Sequence, residues 1–165
     1  MTSLKGMKTG MGLLEDPRYP GNDDAAQALF DRIADRIAKD HGMDRSRAGG
    51  ALGQAIILVT VAAQDTSKAL CPSPEVDKAW DTWLLYTREY QHHCARYGRF
   101  VHHTPNDDPA VLAERLHFYS PAETADLLRE QGYYVRDEFW PPDAIGASKA
   151  NCTSCYTGDH EGDGG

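Results

Sequence analysis

The stretch AGGALGQAIILVTVAAQ, residues 48–64, decides the fold of this chain. Its second half places apolar side chains on every side of a helix: Ile56, Ile57, Leu58, Val59 and Val61. A helix that is apolar all round is typical of the centre of a bundle. The uncharged run is shorter than the roughly 20 residues that span a bilayer, which favours a buried helix over a membrane span. Three glycines near its start, Gly49, Gly50 and Gly53, predict close packing against a neighbouring segment.

Four further segments have the periodicity and the end signals of amphipathic helices. They run from Asn22 to Gly42, from Pro74 to Tyr97, from Asp107 or Asp108 to Tyr119, and from Ser120 to Gly132. Each has apolar residues at three- and four-residue steps, with a capping residue at its start. Together with the central helix they predict an all-α, single-domain bundle of about five helices.

Less regular segments flank this helical domain, which we place at residues 22–146. Residues 1–21 contain many glycines and prolines and predict an irregular N-terminal arm. Residues 133–140 contain four aromatic residues and predict a strap across the bundle. Residues 147–165 have the composition of a flexible acidic tail, apart from Cys152 and Cys155.

The composition excludes several classes of function. The chain has 165 residues, with 25 Asp and Glu against 17 Lys and Arg, and a formal net charge of −8. Such a charge is repelled by nucleic-acid phosphates and by anionic membranes, so neither is an expected partner. The N-terminus has no apolar segment typical of a secretory signal, which predicts a cytoplasmic location. Four cysteines are too few for a disulfide scaffold, so reduced thiols are expected.

Residues 72–105 concentrate the side-chain types that bind metals, with four of the seven histidines, one cysteine and several acids. On a continuous helix Asp77, Asp81 and His92 share one stripe. A turn after Gly98 would bring the following histidine pair back to the end of that helix. The candidate ligands of a metal held by carboxylate, imidazole and thiolate are therefore Asp77, Asp81, His92, His93, Cys94, His102 and His103.

The same region also has a purely structural interpretation. A histidine pair beside aromatic residues commonly makes ordinary hydrogen bonds, and the region has no HExxH signature. Trp80, Trp83 and Tyr90 fit core packing by their helical spacing alone. The metal site and the structural role are both open hypotheses at this point.

A second candidate metal site is Cys152-Thr-Ser-Cys155. Two cysteines at this spacing make half of a zinc site, because a closed structural zinc takes four ligands. The other half would come from Cys71, Cys94 or the histidine pair if the tail folds back, or from a second chain. The alternative is two incidental thiols in a flexible tail. Tyr156 follows Cys155 where haem attachment requires histidine, so that pattern is excluded.

The run VDKAWDTWLLYTREY, from Val76 to Tyr90, followed by Cys94 and by GRFVHH at residues 98–103, resembles the glycine-rich domain-containing protein-like family. The segment ADLLREQGYYVRDEFW, residues 125–140, is similar to the closing helix and aromatic strap of that family. The resemblance implies an α-helical domain, in a free-standing bacterial form, and no settled reaction. Asp81 stands where the family usually has histidine, and an oxygen ligand there implies iron, manganese or zinc with mixed ligands.

These patterns predict a cytoplasmic helical protein that binds a transition metal, zinc or iron, through the His/Cys/Asp cluster. The alternative is an adaptor domain without metal, whose arm and tail contact a protein partner. A third hypothesis is a metal-dependent enzyme that uses the same cluster with an open coordination position. The chain has no serine elbow and no phosphate loop, so no catalytic residue and no nucleotide cofactor are assigned.

Overall fold

The computed structural model describes residues 8–105, 107–110, 118–141 and 155–157. The helices are α1 (Gly10–Leu13), α2 (Asp23–His41), α3 (Arg45–Gln64), α4 (Pro74–Trp83), α5 (Thr87–Tyr97) and α6 (Pro121–Glu130), with a 3₁₀ helix at Asp137–Phe139. Four short strands accompany them: β1 (Ala69–Leu70), β2 (Thr104–Pro105), β3 (Phe118–Tyr119) and β4 (Cys155–Tyr156). Strand β1 pairs with β3 in parallel, and β2 pairs with β4 antiparallel. The prediction of a mostly α-helical single domain is confirmed.

Helix α3 is the centre of this domain, as predicted. It contacts α1, α2, α4, α5 and α6 as well as the 3₁₀ helix. Its side chains from Ala55 to Thr60 are buried on every side. By length and composition alone α3 is able to cross a membrane, but 72% of its apolar window is buried by the rest of the protein. It is therefore packed as a core helix.

The helix predicted over Pro74–Tyr97 is two helices, α4 and α5, joined by a turn at residues 84–86. Trp83 and Tyr90 are seven residues apart, so in a straight helix they would be separated by about 10.5 Å along the axis. Their ring centroids are only 4.9 Å apart. The turn folds Tyr90 back onto α4, where its hydroxyl accepts a hydrogen bond from Trp80 Nε1 at 3.1 Å. The prediction of one helix is wrong because burial of these aromatic side chains outweighs the local helical pattern.

The helix predicted to reach Tyr119 ends before that residue. Residues 109 and 110 are helical, residues 111–117 lie outside the described part of the chain, and Phe118–Tyr119 form β3. Helix α6 follows as predicted, with a capping box between Ser120 and Glu123.

Both ends of the chain contact the bundle where the structure describes them. Helix α1 approaches α3 so closely that a Cβ atom on Gly10 would stand 2.1 Å from the carbonyl oxygen of Gly53. At the other end β4 pairs with β2, and Tyr156 is buried. Gly10, Leu13, Leu14 and Tyr156 are therefore buried, within the segments where composition predicts an irregular arm and a flexible tail. Small residues permit the first contact, and an apolar side chain drives the second.

The predicted aromatic strap crosses the bundle, and Gln54 of α3 holds it in place. Gln54 Nε2 donates to the carbonyl oxygen of Tyr134 at 3.1 Å. Gln54 Oε1 accepts from the backbone N–H of Arg136 at 3.2 Å and from Trp140 Nε1 at 2.9 Å. One buried amide thus pairs three polar groups of the strap.

Gly50 of α3 lets the strap lie close to the helix, as the glycine pattern predicts. A Cβ atom at this position would stand 2.4 Å from Cζ of Phe139, which is closer than side-chain carbons approach. The ring of Phe139 therefore occupies the space that any larger residue would fill.

A buried polar pair joins α3 to α5. Thr60 Oγ1 donates to the carbonyl oxygen of Ile56 at 2.7 Å and lies 2.8 Å from His93 Nε2, which acts as the donor to it. His93 Nδ1 is buried and has no hydrogen-bond partner among the described residues. Burial of the ring disfavours its charged form and lowers the pKa of His93 to about 3. The ring is therefore neutral at neutral pH.

Replacement of Gln54 by leucine should lower the free energy of unfolding by about 2–4 kcal/mol, because it leaves buried polar groups of the strap without partners. Gln64→Leu, at the exposed end of the same helix, is the matched control and should change this free energy by less than about 0.5 kcal/mol. Urea unfolding followed by circular dichroism measures both variants. Equal effects of the two substitutions would show that Gln54 does not hold the strap.

Acid should destabilise the protein through His93. The unfolded chain takes up a proton here below the ordinary pKa of 6.5, but the folded chain does so only near a pKa of about 3. Stability therefore falls as pH falls from about 6.5 towards 3, by up to about 1.4 kcal/mol per pH unit. His93→Phe should make the pH dependence shallower in urea unfolding, whereas His92→Phe should leave it steep. Parallel curves for His93→Phe and the unaltered protein would contradict this role.

Candidate metal centre

Three side chains with metal-binding atoms converge where α4 meets the β2–β4 ladder. These are Asp77, His103 and Cys155, whose candidate ligand atoms all lie within 4.8 Å of one another. They come from positions far apart in the chain, so only the fold brings them together.

Helix α4 positions the carboxylate of Asp77. Ser73 caps the helix by accepting a hydrogen bond from the backbone N–H of Val76, and Pro74 occupies the first turn. Asp77 follows in that first turn and is buried, while Asp81 lies one turn later on the same face. Helix α4 thus presents two carboxylates side by side.

The imidazole of His103 lies between these two carboxylates. Its Nε2 atom is 3.1 Å from Asp77 Oδ1, and its Nδ1 atom is 3.1 Å from Asp81 Oδ1. The ring also stacks on Trp80, with centroids 4.0 Å apart and planes inclined by 12°. Two polar contacts and one stacking contact fix the orientation of the ring.

A residue of α5, Tyr90, fixes the position of Trp80. Its Nε1 atom donates to the Tyr90 hydroxyl at 3.1 Å, and that hydroxyl donates to the carbonyl oxygen of Val101 at 2.5 Å. Val101 lies two residues before His103. The same hydrogen bonds therefore position both the tryptophan platform and the segment that carries the histidine.

Strand β4 supplies the thiol of Cys155. The strand pairs antiparallel with β2, so that Cys155 lies opposite Pro105 and Tyr156 lies opposite Thr104. His103 directly precedes β2 in the chain. This register places the thiol of Cys155 on the ladder and the imidazole of His103 next to one end of it.

The site is rich in negative charge. Burial and, to a smaller extent, the carboxylates of Asp77, Asp81 and Asp107 together raise the pKa of the Cys155 thiol to about 12. Burial also raises the pKa of Asp81, as does the neighbouring Asp77 carboxylate, against the lowering effect of His103 and His41. A cation placed among these groups would reverse both effects, because it favours the thiolate and the carboxylate forms.

Four of the candidate ligands from the sequence lie elsewhere among the described residues. His92 Nε2 is 2.9 Å from Glu15 Oε1, and the ring of His102 packs against that of Phe100. His93 and Cys94 are buried in the core. The break between α4 and α5 separates His92, His93 and Cys94 from the α4 carboxylates, so the continuous stripe that the sequence predicts does not form.

The cysteines also differ from expectation. Cys155 belongs to the cluster, whereas Cys152, its predicted partner in a zinc site, lies outside the described residues. Cys71 is disulfide-bonded, so the expectation of reduced thiols is wrong for this residue. Cys94 is a buried free thiol.

The sequence pattern predicts Asp77, Asp81, His103 and Cys155 as ligands but places them in two separate sites. The missing signal was the pairing of β2 with β4, since strands of two residues have no detectable periodicity. The role of Trp80 as a platform for His103 was also missed, because its spacing indicates only core packing.

Comparison with known proteins identifies the family of the chain. A family model described as UCP032817-like matches residues 24–115, which is more than half of the chain and includes α2 to α5. No curated protein and no solved structure matches.

This match overturns the resemblance to the glycine-rich domain-containing protein-like family, which rested on residues 76–103 and 125–140. UCP032817-like proteins are an uncharacterised family, so the match assigns no reaction. The chain belongs to the UCP032817-like family.

Proposed function

We propose that this protein binds one divalent transition-metal ion, zinc in the first place, through Asp77, His103 and Cys155. The observation that carries the proposal is the convergence of a carboxylate oxygen, an imidazole nitrogen and a thiol sulfur within 4.8 Å of one another. Oxygen, nitrogen and sulfur together suit zinc or iron, whereas magnesium and calcium take oxygen ligands.

The separation of two of the donor atoms supports this reading. Asp77 Oδ1 and His103 Nε2 are 3.1 Å apart. Bonds of about 2.0–2.2 Å from a tetrahedral zinc place such oxygen and nitrogen atoms about 3.3 Å apart. The pair would need to move by only a few tenths of an ångström to accept the ion.

Asp81 lies on the other side of the His103 ring, and its position also supports the proposal. A histidine that binds a metal through one nitrogen usually donates its other ring N–H to a carboxylate, which fixes the ring and makes it a better ligand. Asp81 Oδ1 holds that position, 3.1 Å from His103 Nδ1. Asp81 is thus a positioning residue for His103.

Charge compensation favours the same function. Asp77 is buried beside a thiol, with Asp81 and Asp107 near enough to affect that thiol. A divalent ion bound by one carboxylate, one thiolate and one neutral imidazole forms a complex with no net charge. Without the ion, the described groups that lower the pKa of the Asp81 carboxyl are the imidazoles of His103 and His41.

The hypotheses of an adaptor domain and of a metal-dependent enzyme stay predictions. Three protein ligands leave the fourth position of a tetrahedral ion for water or another ligand, as in zinc enzymes. That position is what the enzyme hypothesis requires, and the described part of the chain gives no assigned acid, base or nucleophile for a substrate there.

Zinc titration of the metal-free protein should give one site per chain. His103→Gln and Cys155→Ser should each weaken zinc affinity by at least about 100-fold, because each removes one of three ligands. His102→Gln is the matched control, since it changes the adjacent histidine outside the cluster, and should bind as the unaltered protein does. Isothermal titration calorimetry and elemental analysis measure affinity and stoichiometry. Equal binding by all four proteins would refute the site.

Asp81→Asn should weaken metal affinity by about 10- to 100-fold while the ligands themselves remain. Cobalt provides a direct measurement, because a thiolate ligand gives it a charge-transfer absorption band. The band should persist in saturated Asp81→Asn and vanish in Cys155→Ser. Loss of the band in saturated Asp81→Asn would show that the thiolate needs Asp81 in order to bind the metal, which contradicts a role confined to positioning His103.

A further inference from the structure

Three protein ligands leave one position open on a tetrahedral ion, and the β2–β4 ladder offers a further donor for it. Pro105 lies directly opposite Cys155 in this antiparallel pair. Residues that lie opposite each other in an antiparallel pair place their side chains on the same face of the ladder. The side chains of Pro105 and Cys155 therefore share one face.

The alternation of side chains along an extended chain continues this face in both directions. His103 and Asp107 stand two positions before and two positions after Pro105. Because side chains alternate between the two faces along a strand, both are expected on the face that carries Cys155. The structure agrees for His103, whose candidate ligand atom lies within 4.8 Å of that of Cys155. The same register directs Asp107 to the thiol from the other end of the ladder.

The electrostatics of the thiol agree with this placement of Asp107. Burial is the main cause of the raised pKa of the Cys155 thiol, and three carboxylates add to it, one of which belongs to Asp107. Charges near a protein surface influence one another over only about 10 Å, because water and salt screen them. Asp107 is far from residue 155 along the chain, and it is close to the thiol in space.

The other two carboxylates near the thiol already have roles. Asp77 is a proposed ligand, and Asp81 Oδ1 lies 3.1 Å from His103 Nδ1, where it orients the ring. Asp107 is exposed, so its side chain can turn towards an ion without loss of core packing. It is therefore the carboxylate that suits the fourth position.

On the basis of the proposed metal site, we infer that Asp107 is the fourth protein ligand and closes the site. One carboxylate oxygen of Asp107 joins the three ligands of the candidate centre around a tetrahedral ion. Zinc with four protein ligands is typical of structural sites, whereas catalytic zinc keeps one position for water or substrate. The inference therefore assigns the ion a structural role and argues against the enzyme hypothesis.

Zinc affinity gives the first test. Asp107→Ala should weaken zinc binding by about tenfold or more, because water replaces a protein ligand. Asp108→Ala is the matched control and should leave zinc affinity unchanged, since it removes the neighbouring exposed carboxylate, which accepts the backbone N–H of Ala110 at 3.0 Å. Isothermal titration calorimetry measures both variants in the full chain, with Cys71 in its disulfide. Circular dichroism checks that each variant is folded.

Azide tests whether the fourth position is open, which affinity alone does not show. This anion replaces metal-bound water and changes the absorption spectrum of cobalt. Cobalt in Asp107→Ala should respond to azide, whereas cobalt in the unaltered protein and in Asp108→Ala should not respond at the same concentrations. The thiolate charge-transfer band should persist in all three proteins, because Cys155 remains a ligand. A carboxylate that acts only through its charge would lower the affinity of Asp107→Ala for zinc without opening this position.

The outcomes separate the fourth ligand from the metal site itself. Weaker zinc binding by Asp107→Ala, together with an azide response confined to this variant, supports closure of the site by Asp107. An azide response in the unaltered protein, unchanged zinc affinity in Asp107→Ala, or weaker binding without an azide response overturns closure and leaves the three-ligand site intact. Failure of the unaltered protein to bind zinc and cobalt overturns both.

Discussion

The hydrogen bonds that run from Trp80 Nε1 to the Tyr90 hydroxyl and on to the carbonyl oxygen of Val101 constrain the rest of this structure. They join α4, α5 and the segment that follows α5 at one buried point. A continuous helix over residues 74–97 is incompatible with them, because Trp80 and Tyr90 would then lie about 15 Å apart along its axis. The turn at residues 84–86 is thus a consequence of burying these side chains. His103 stacks on the outer face of the same tryptophan, so the core and the candidate metal centre share one residue.

Polar side chains give the apolar core helix a defined orientation. A helix with apolar residues all round has no face that must point to solvent, so burial alone does not fix its rotation. In α3, Gln54 faces the strap and Thr60 faces α5, and each has hydrogen-bond partners there. Rotation of α3 would leave these groups buried without partners, at a cost of about 1–3 kcal/mol for each group. Gln54 and Thr60, the polar residues within the apolar run, therefore specify how the strap and α5 pack against α3.

Much of the helical architecture could be predicted from the sequence, because amphipathic stripes and caps are local signals. Helix α3 and the caps at Asn22 and Ser120 are examples, since each depends on residues within a few positions of one another. The division of α4 from α5 could not be predicted, because it depends on contacts that a periodic pattern does not record. The candidate site depends more strongly still on distant pairing. Asp77 and His103 belong to one stretch of sequence, but Cys155 lies far along the chain and its strand reaches them by pairing with β2.

Cys155 is the residue that the proposed metal centre adds to an ordinary ion pair. Asp77, His103 and Asp81 by themselves form a satisfied carboxylate–imidazole–carboxylate arrangement, which many proteins use to fix a loop. That arrangement has no need of a thiol, since a thiol is a weak hydrogen-bond donor and a weak acceptor. Burial and three nearby carboxylates also disfavour the thiolate form, which is the form that binds metals. A bound divalent ion removes this conflict, because it stabilises the thiolate and offsets the carboxylates at once. This electrostatic relation between the thiol, the carboxylates and a cation is the physical basis of the proposed metal site.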